Sequence, residues 1–185
     1  MRFVGIFPEV LFTFDNIQQD EGAPLQVVLE DDLGSRVHVG PEASVKIRIF
    51  VLDGDFEVDD MDDWTDQDFD KKVAQPRKDK GPLLRGQLEI YLSNGVASIS
   101  DIAFTDNSKS IRNGKFRLGA RVVKGQPPQV KIRDAVSAAF KVKERRTKCK
   151  FSISICCKLA SFVQVYRSKL TCLVIAFHCY RGAKK

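Results

Sequence analysis

Histidine, tryptophan and methionine are scarce in this 185-residue chain, which has two His, one Trp and two Met. With only His38 and His178 to draw on, most histidine-based metal centres are excluded, and a Ser–His–Asp arrangement has little to choose from. Cysteine is absent from the first 148 residues; Cys149, Cys156, Cys157, Cys172 and Cys179 all follow them. An odd count, an adjacent pair and the lack of any C-x-x-C spacing exclude a secreted disulfide framework and the common zinc patterns. Free thiols in a reducing compartment are the expectation. No apolar run is long enough to span a bilayer: residues 170–177 are too few, and Lys158, Arg167 and Lys169 interrupt any longer stretch. Pro8 and Glu9 break the apolar run after Arg2, and no small-residue cleavage site follows, so no targeting segment is expected. The nucleophile elbow and the phosphate-cradling Gly-rich loop are missing too. The chain is therefore not expected to be an enzyme or to carry a cofactor or a metal.

What is present is one domain's worth of chain, 43% apolar with thirteen Phe, and able to bury a core unaided. Charge is divided unevenly. Residues 141–185 hold twelve Lys or Arg against one acid, Glu144, so the 30 basic and 24 acidic residues leave residues 1–140 net acidic. Such asymmetry points to an anionic partner or to a tail. Residues 53–70 hold ten acids in eighteen positions. The spacing Asp53-x-Asp55-x-Glu57-x-Asp59 has Val58 where a calcium loop needs Gly, and no Glu at the twelfth position, so a solvated loop is expected.

Residues 1–146 read as all-β. Residues 45–51 alternate, with Val45, Ile47, Ile49 and Val51 on one face and Lys46 and Arg48 on the other, as a half-buried strand requires. Further strands are expected at 25–29, 36–39, 87–92, 96–104, 116–123, 130–133 and 139–143. Asn94-Gly95 supplies the two positive-φ positions of a type I′ turn and predicts a hairpin between residues 87–92 and 96–104. Asn113-Gly114 marks another turn. Thr65 followed by Asp68 predicts a helix over 65–73, anchored by Trp64 and Phe69. The expected fold is an Ig-like β-sandwich of about seven strands with one short helix, followed by an irregular or partly helical basic tail, residues 147–185.

Two basic segments stand out. Lys109, Arg112, Lys115, Arg117 and Arg121 fall within thirteen positions, with Asp106 just before them. A DNA backbone rewards such a cluster through counterion release, and phosphate contact is favoured over base readout for any one residue. The competing reading is a solvated sheet face. The second segment, residues 71–85, carries Lys71, Lys72, Arg77, Lys78, Lys80 and Arg85 around Pro76 and Gly81-Pro82. It suits a loop arm or a solvated loop.

Several motifs occur in order: Gly40-Pro41-Glu42-Ala43-Ser44, Val51-Leu52-Asp53-Gly54-Asp55-Phe56, Trp64-Thr65 with Phe69, and Pro82-Leu83-Leu84-Arg85-Gly86. The most specific block is Phe104-Thr105-Asp106-Asn107-Ser108, with Ile111-Arg112 and Lys115-Phe116-Arg117-Leu118-Gly119 after it. The last is Phe140-Lys141-Val142-Lys143-Glu144-Arg145-Arg146. Over roughly residues 10–146 the chain resembles the N-terminal domain of the plant calmodulin-binding protein 60 family. The resemblance implies a nuclear transcriptional regulator of plant defence and salicylic acid synthesis that binds promoter DNA, and a family many of whose members bind calmodulin. It departs at Ser110, where the family usually has Trp, and after Arg146, where residues 147–185 resemble nothing in the family. The family's calmodulin-binding segment has no counterpart here, so a truncated member is expected. The competing reading is a calmodulin-responsive or dimerising fragment, a homo-oligomer included, that does not bind DNA; a third is the product of a damaged gene.

Overall fold

A computed structural model describes residues 1–19, 22–56, 64–123 and 131–148. Eleven short strands and one α-helix lie among them: β1 (Arg2–Val4), β2 (Val10–Phe12), β3 (Leu25–Val28), β4 (Lys46–Asp53), α1 (Asp66–Lys72), β5 (Leu84–Gly86), β6 (Glu89–Tyr91), β7 (Val96–Ile99), β8 (Ile102–Phe104), β9 (Phe116–Val122), β10 (Ala135–Val136) and β11 (Lys141–Lys143). The all-β expectation holds, with more and shorter strands than the seven expected. The expected tail lies outside the described residues from 149 onward.

The strands form a three-stranded sheet, β1-β3-β7, and a four-stranded sheet, β10-β9-β4-β6, both antiparallel. Two further pairs, antiparallel β5-β8 and parallel β11-β2, complete the ladders. β4 runs through the middle of the larger sheet, and its alternation is realised: Ile47, Ile49 and Val51 are buried, while Lys46 meets Glu89 of β6 at 2.6 Å on the outer face. Both sheets feed one hydrophobic core. Leu25, Val27, Ala97 and Ile99 come from the smaller sheet, Ile47, Ile49, Leu118 and Ala120 from the larger. Phe104, Phe116 and Phe140 fill its end, with the Phe104 and Phe116 rings stacked at 5.7 Å.

The Asn94-Gly95 turn forms, with φ of 51° and 75°, but the expected hairpin does not. Beyond the bridge Ser93↔Val96 the arms separate: β6 pairs with β4 and β7 with β3. The turn is where the chain passes from one sheet to the other. Its hydrogen bonds go outward, Gly95 N–H to the Ala43 carbonyl at 2.9 Å and Leu29 N–H to the Gly95 carbonyl at 2.8 Å. A Cβ on Gly95 would sit 1.9 Å from the Val37 carbonyl oxygen, so the position tolerates only Gly.

Three strand expectations are corrected. Residues 36–39 contribute only the bridge Glu30↔Arg36; the Arg36 guanidinium is drawn instead to the Asn94 carbonyl, at 2.6 and 2.8 Å, and His38 is exposed. The strand expected at 130–133 lies at Ala135–Val136, and Val130 is outside the described residues. The expected partner 96–104 is two strands, because the chain bends at Ser100-Asp101 and β8 leaves to pair with β5. The helix is as expected. Thr65 caps it, the Asp68 N–H reaches Thr65 Oγ1 at 3.3 Å, and Asp68 Oδ2 accepts from the Thr65 N–H at 3.1 Å.

Candidate functional site

The loop between β8 and β9 carries the first basic cluster. It is a closed structure. Asn107 Oδ1 accepts from the Lys109 N–H at 3.1 Å and starts a single 3-10 turn, Ser108–Ser110. A reverse turn follows, closed by Gly114 N–H to the Ile111 carbonyl at 2.9 Å, as Asn113-Gly114 predicts. Ser108 Oγ donates to the Gly114 carbonyl at 2.6 Å and accepts from the Val142 N–H of β11 at 3.0 Å. One buried hydroxyl thus joins the two ends of the loop to the strand beneath. Lys109, Arg112 and Lys115 lie on this frame, all exposed or half-buried, and none has a carboxylate partner among the described residues. Ser110 is exposed beside them.

Arg117 and Arg121 leave that group. Arg117 Nη1 donates to the Ser137 carbonyl at 2.9 Å, tying β9 to the segment after β10. Arg121 Nε meets Asp134 Oδ2 at 2.8 Å and its Nη1 meets Asp70 Oδ1 of α1 at 2.6 Å, while its guanidinium lies 4.1 Å from the centre of the Phe69 ring. Its side chain is 12% exposed. A guanidinium so placed latches α1 to the sheet. Burial pushes the Asp134 carboxyl up, with Arg121 opposing.

The motif Phe104-Thr105-Asp106-Asn107-Ser108 is the foundation of the loop. Phe104 is core. Thr105 Oγ1 donates to the Pro82 carbonyl at 2.6 Å. Asp106, buried with 6% of its side chain exposed, accepts from Arg77 Nε at 2.6 Å and from Arg77 Nη2. Asn107 Nδ2 reaches Glu144 Oε1 at 3.2 Å. The Arg77 hydrogen bonds hold the Asp106 carboxyl below the usual carboxylate range against the pull of burial, helped by the Asn107 N–H and by the charges of Arg77 and Lys80. Among the described residues no buried side-chain polar atom lacks a partner. The pairing of Arg77 with Asp106, 29 positions apart, escapes sequence reasoning. Its one signal there is an acid at the head of a basic cluster.

Among the described residues no group of three or more His, Cys, Asp or Glu is placed to hold a metal ion, and no helix is long and apolar enough to cross a membrane. An open groove of about 850 Å³ is lined by more acids than bases, Glu30, Asp31, Asp32, Glu42, Asp66 and Asp134 against Arg2, Lys131 and Arg133, and so offers no cationic face to an anion.

A family profile described as Calmodulin binding protein-like N-terminal domain matches residues 1–145. Calmodulin-binding protein 60 B of Arabidopsis thaliana is 45% identical over 137 residues, which are 74% of this chain and 21% of that protein. Calmodulin-binding protein 60 B of Gossypium hirsutum is 40% identical over 147 residues, 79% of this chain and 26% of that protein. Protein SAR DEFICIENT 1 of Arabidopsis thaliana is 38% identical over 137 residues, 74% of this chain and 30% of that protein. The chain thus spans less than a third of the length of these relatives.

Proposed function

The chain belongs to the calmodulin-binding protein 60 family, and from that premise we propose that its domain is a DNA-contacting module of a nuclear transcriptional regulator of plant defence. One observation carries the reading: Lys109, Arg112 and Lys115 stand at the surface without carboxylate partners among the described residues, on a loop whose base is rigidly hydrogen-bonded. Cations left unneutralised on a fixed frame suit a phosphate backbone, because ordering them costs little when the anion arrives. Arg117 and Arg121 serve this reading indirectly, by holding β9. Likeness to the relative named SAR DEFICIENT 1 supports a role in defence, and control of salicylic acid synthesis is proposed with it. The protein acts here by binding, with no chemistry of its own and no cofactor.

The test is fluorescence anisotropy of the whole chain on duplex DNA over a salt series. A chain with Arg112→Ala and Lys115→Ala should bind more weakly, and its log–log salt slope should flatten by about 0.9 for each phosphate left unneutralised. Unchanged affinity and slope would rule this loop out. The family name favours a second reading, a calmodulin-responsive domain. Calcium–calmodulin added to the same assay distinguishes it: a calcium-dependent signal unaffected by the two substitutions supports that partner instead.

A further inference from the structure

The two basic segments meet in space. The turn at residues 77–80 is closed by Lys80 N–H to the Arg77 carbonyl at 2.9 Å. The Arg77 side chain of that turn is bound to Asp106, whose Oδ1 also accepts from the Asn107 N–H at 2.8 Å. Asn107 in turn caps the Ser108–Ser110 turn through the Lys109 N–H. An unbroken series of hydrogen bonds therefore runs from the first turn to the second. Thr105 Oγ1, bound to the Pro82 carbonyl, braces the same junction from the other side. Lys78 and Lys80 are exposed, and neither forms a close ion pair among the described residues, though Lys80 is near enough to Asp106 for their charges to interact; Asp79 between them is the one acid of the turn.

From this geometry we infer that residues 77–80 and the Lys109–Lys115 loop form one composite surface for the phosphate backbone of duplex DNA, with Arg77 and Asp106 as its positioning pair. The inference rests on the DNA reading above and extends it to a segment far away in sequence. Lys78 and Lys80 supply phosphate contacts. Asp106 contributes by position: its charge opposes DNA, yet it keeps the two loops at a fixed separation, and its hydrogen-bonded ion pair is with Arg77, Lys80 being a more distant charge. Two cation sets held at fixed spacing engage phosphates jointly, whereas the same charges on independent loops would each lose mobility on binding.

The experiment is anisotropy of the 185-residue chain on the same duplex. Lys78→Ala with Lys80→Ala should weaken binding by up to about tenfold per lysine near 0.1 M salt and flatten the salt slope by up to about 2. Asp106→Asn makes the protein more positive, so a purely Coulombic surface would bind tighter, while a positioned one binds more weakly. Weaker binding by Asp106→Asn, in protein shown folded by circular dichroism, supports the positioning role, and tighter binding overturns it. Should that variant not fold, the lysine pair, both exposed, still decides the surface. If the lysine pair binds as the parent does while Arg112→Ala with Lys115→Ala loses affinity, the composite surface is wrong and the loop reading stands. If neither pair changes DNA binding, both fall; an effect of Lys78 and Lys80 confined to calmodulin overturns the DNA assignment.

Discussion

At position 119 a hydrogen atom is all that fits. A Cβ there would lie 2.6 Å from the Phe69 ring and 2.9 Å from Leu52 Cδ1, both buried. The close approach lets Phe69 seat under Arg121, so one glycine sets the distance between α1 and the sheet. Gly119→Ala should destabilise the domain by about 1–3 kcal/mol, as overpacking does, which urea unfolding would register as a lower midpoint. An unchanged midpoint would mean that the helix can shift without loss. At this scale the sequence shows charges but not their partners. Arg117 and Arg121 read as outward cations because they alternate with buried residues; the carboxylates that take Arg121 stand at 70 and 134 and converge on it only in the fold.

Elements were legible where a local rule governs them. The β4 alternation, the Asn94-Gly95 turn and the Thr65–Asp68 capping box each rest on neighbours a few residues apart. The capping box yields a direct measurement: Thr65→Ala should cost about 0.5–2 kcal/mol. It should also raise amide exchange in residues 66–72 above that of β4. Equal protection in both would show that Phe69 alone holds the helix. What local rules do not contain is which strand pairs with which. The residues flanking Asn94-Gly95 look like hairpin arms, yet each pairs elsewhere, β6 with Lys46–Arg48 of β4 and β7 with all four residues of β3. β1, β2 and β5 passed unread for a related reason, each being three residues long and too short to show a period.

For the molecule as a whole, charge governs how stability responds to pH. Hydrogen bonding to Arg77 lowers the Asp106 pKa, and hydrogen bonding likewise lowers those of Glu30, Asp68 and Glu89. Each such group in the folded protein binds its proton less readily than in the unfolded chain. Its stabilisation is present above the ordinary carboxylate pKa and is lost as pH falls through the lower folded value. Asp134 works in the opposite sense, since burial raises its pKa, and it offsets a part. The thermal midpoint should therefore drop once pH goes below about 4. Because Asp106 is the buried member of the four, Asp106→Asn should flatten the drop, and a parallel drop in that variant would remove Asp106 from the account. Of the candidate site, the charge cluster and the family likeness were legible. Its frame was not, because Arg77, Asp106 and Ser108 act through bonds to residues remote in sequence.

The parallel pairing of β2 with β11 bears on the order in which this protein is made. Val10 lies beside Lys141, and Phe116 exchanges hydrogen bonds with Phe140, so the end of the core is closed by the last residues of the domain. On a ribosome adding about 5–20 residues each second, β2 waits on the order of ten seconds for its partner. During that interval a nascent chain has its central strands available but its Phe104–Phe116 stack uncovered. Pairings so far apart in sequence also make for slow closure after release. Chaperone holding is thus expected to matter most while residues 116–140 are emerging, and crowding of nascent chains to harm this domain more than a helical one of equal length.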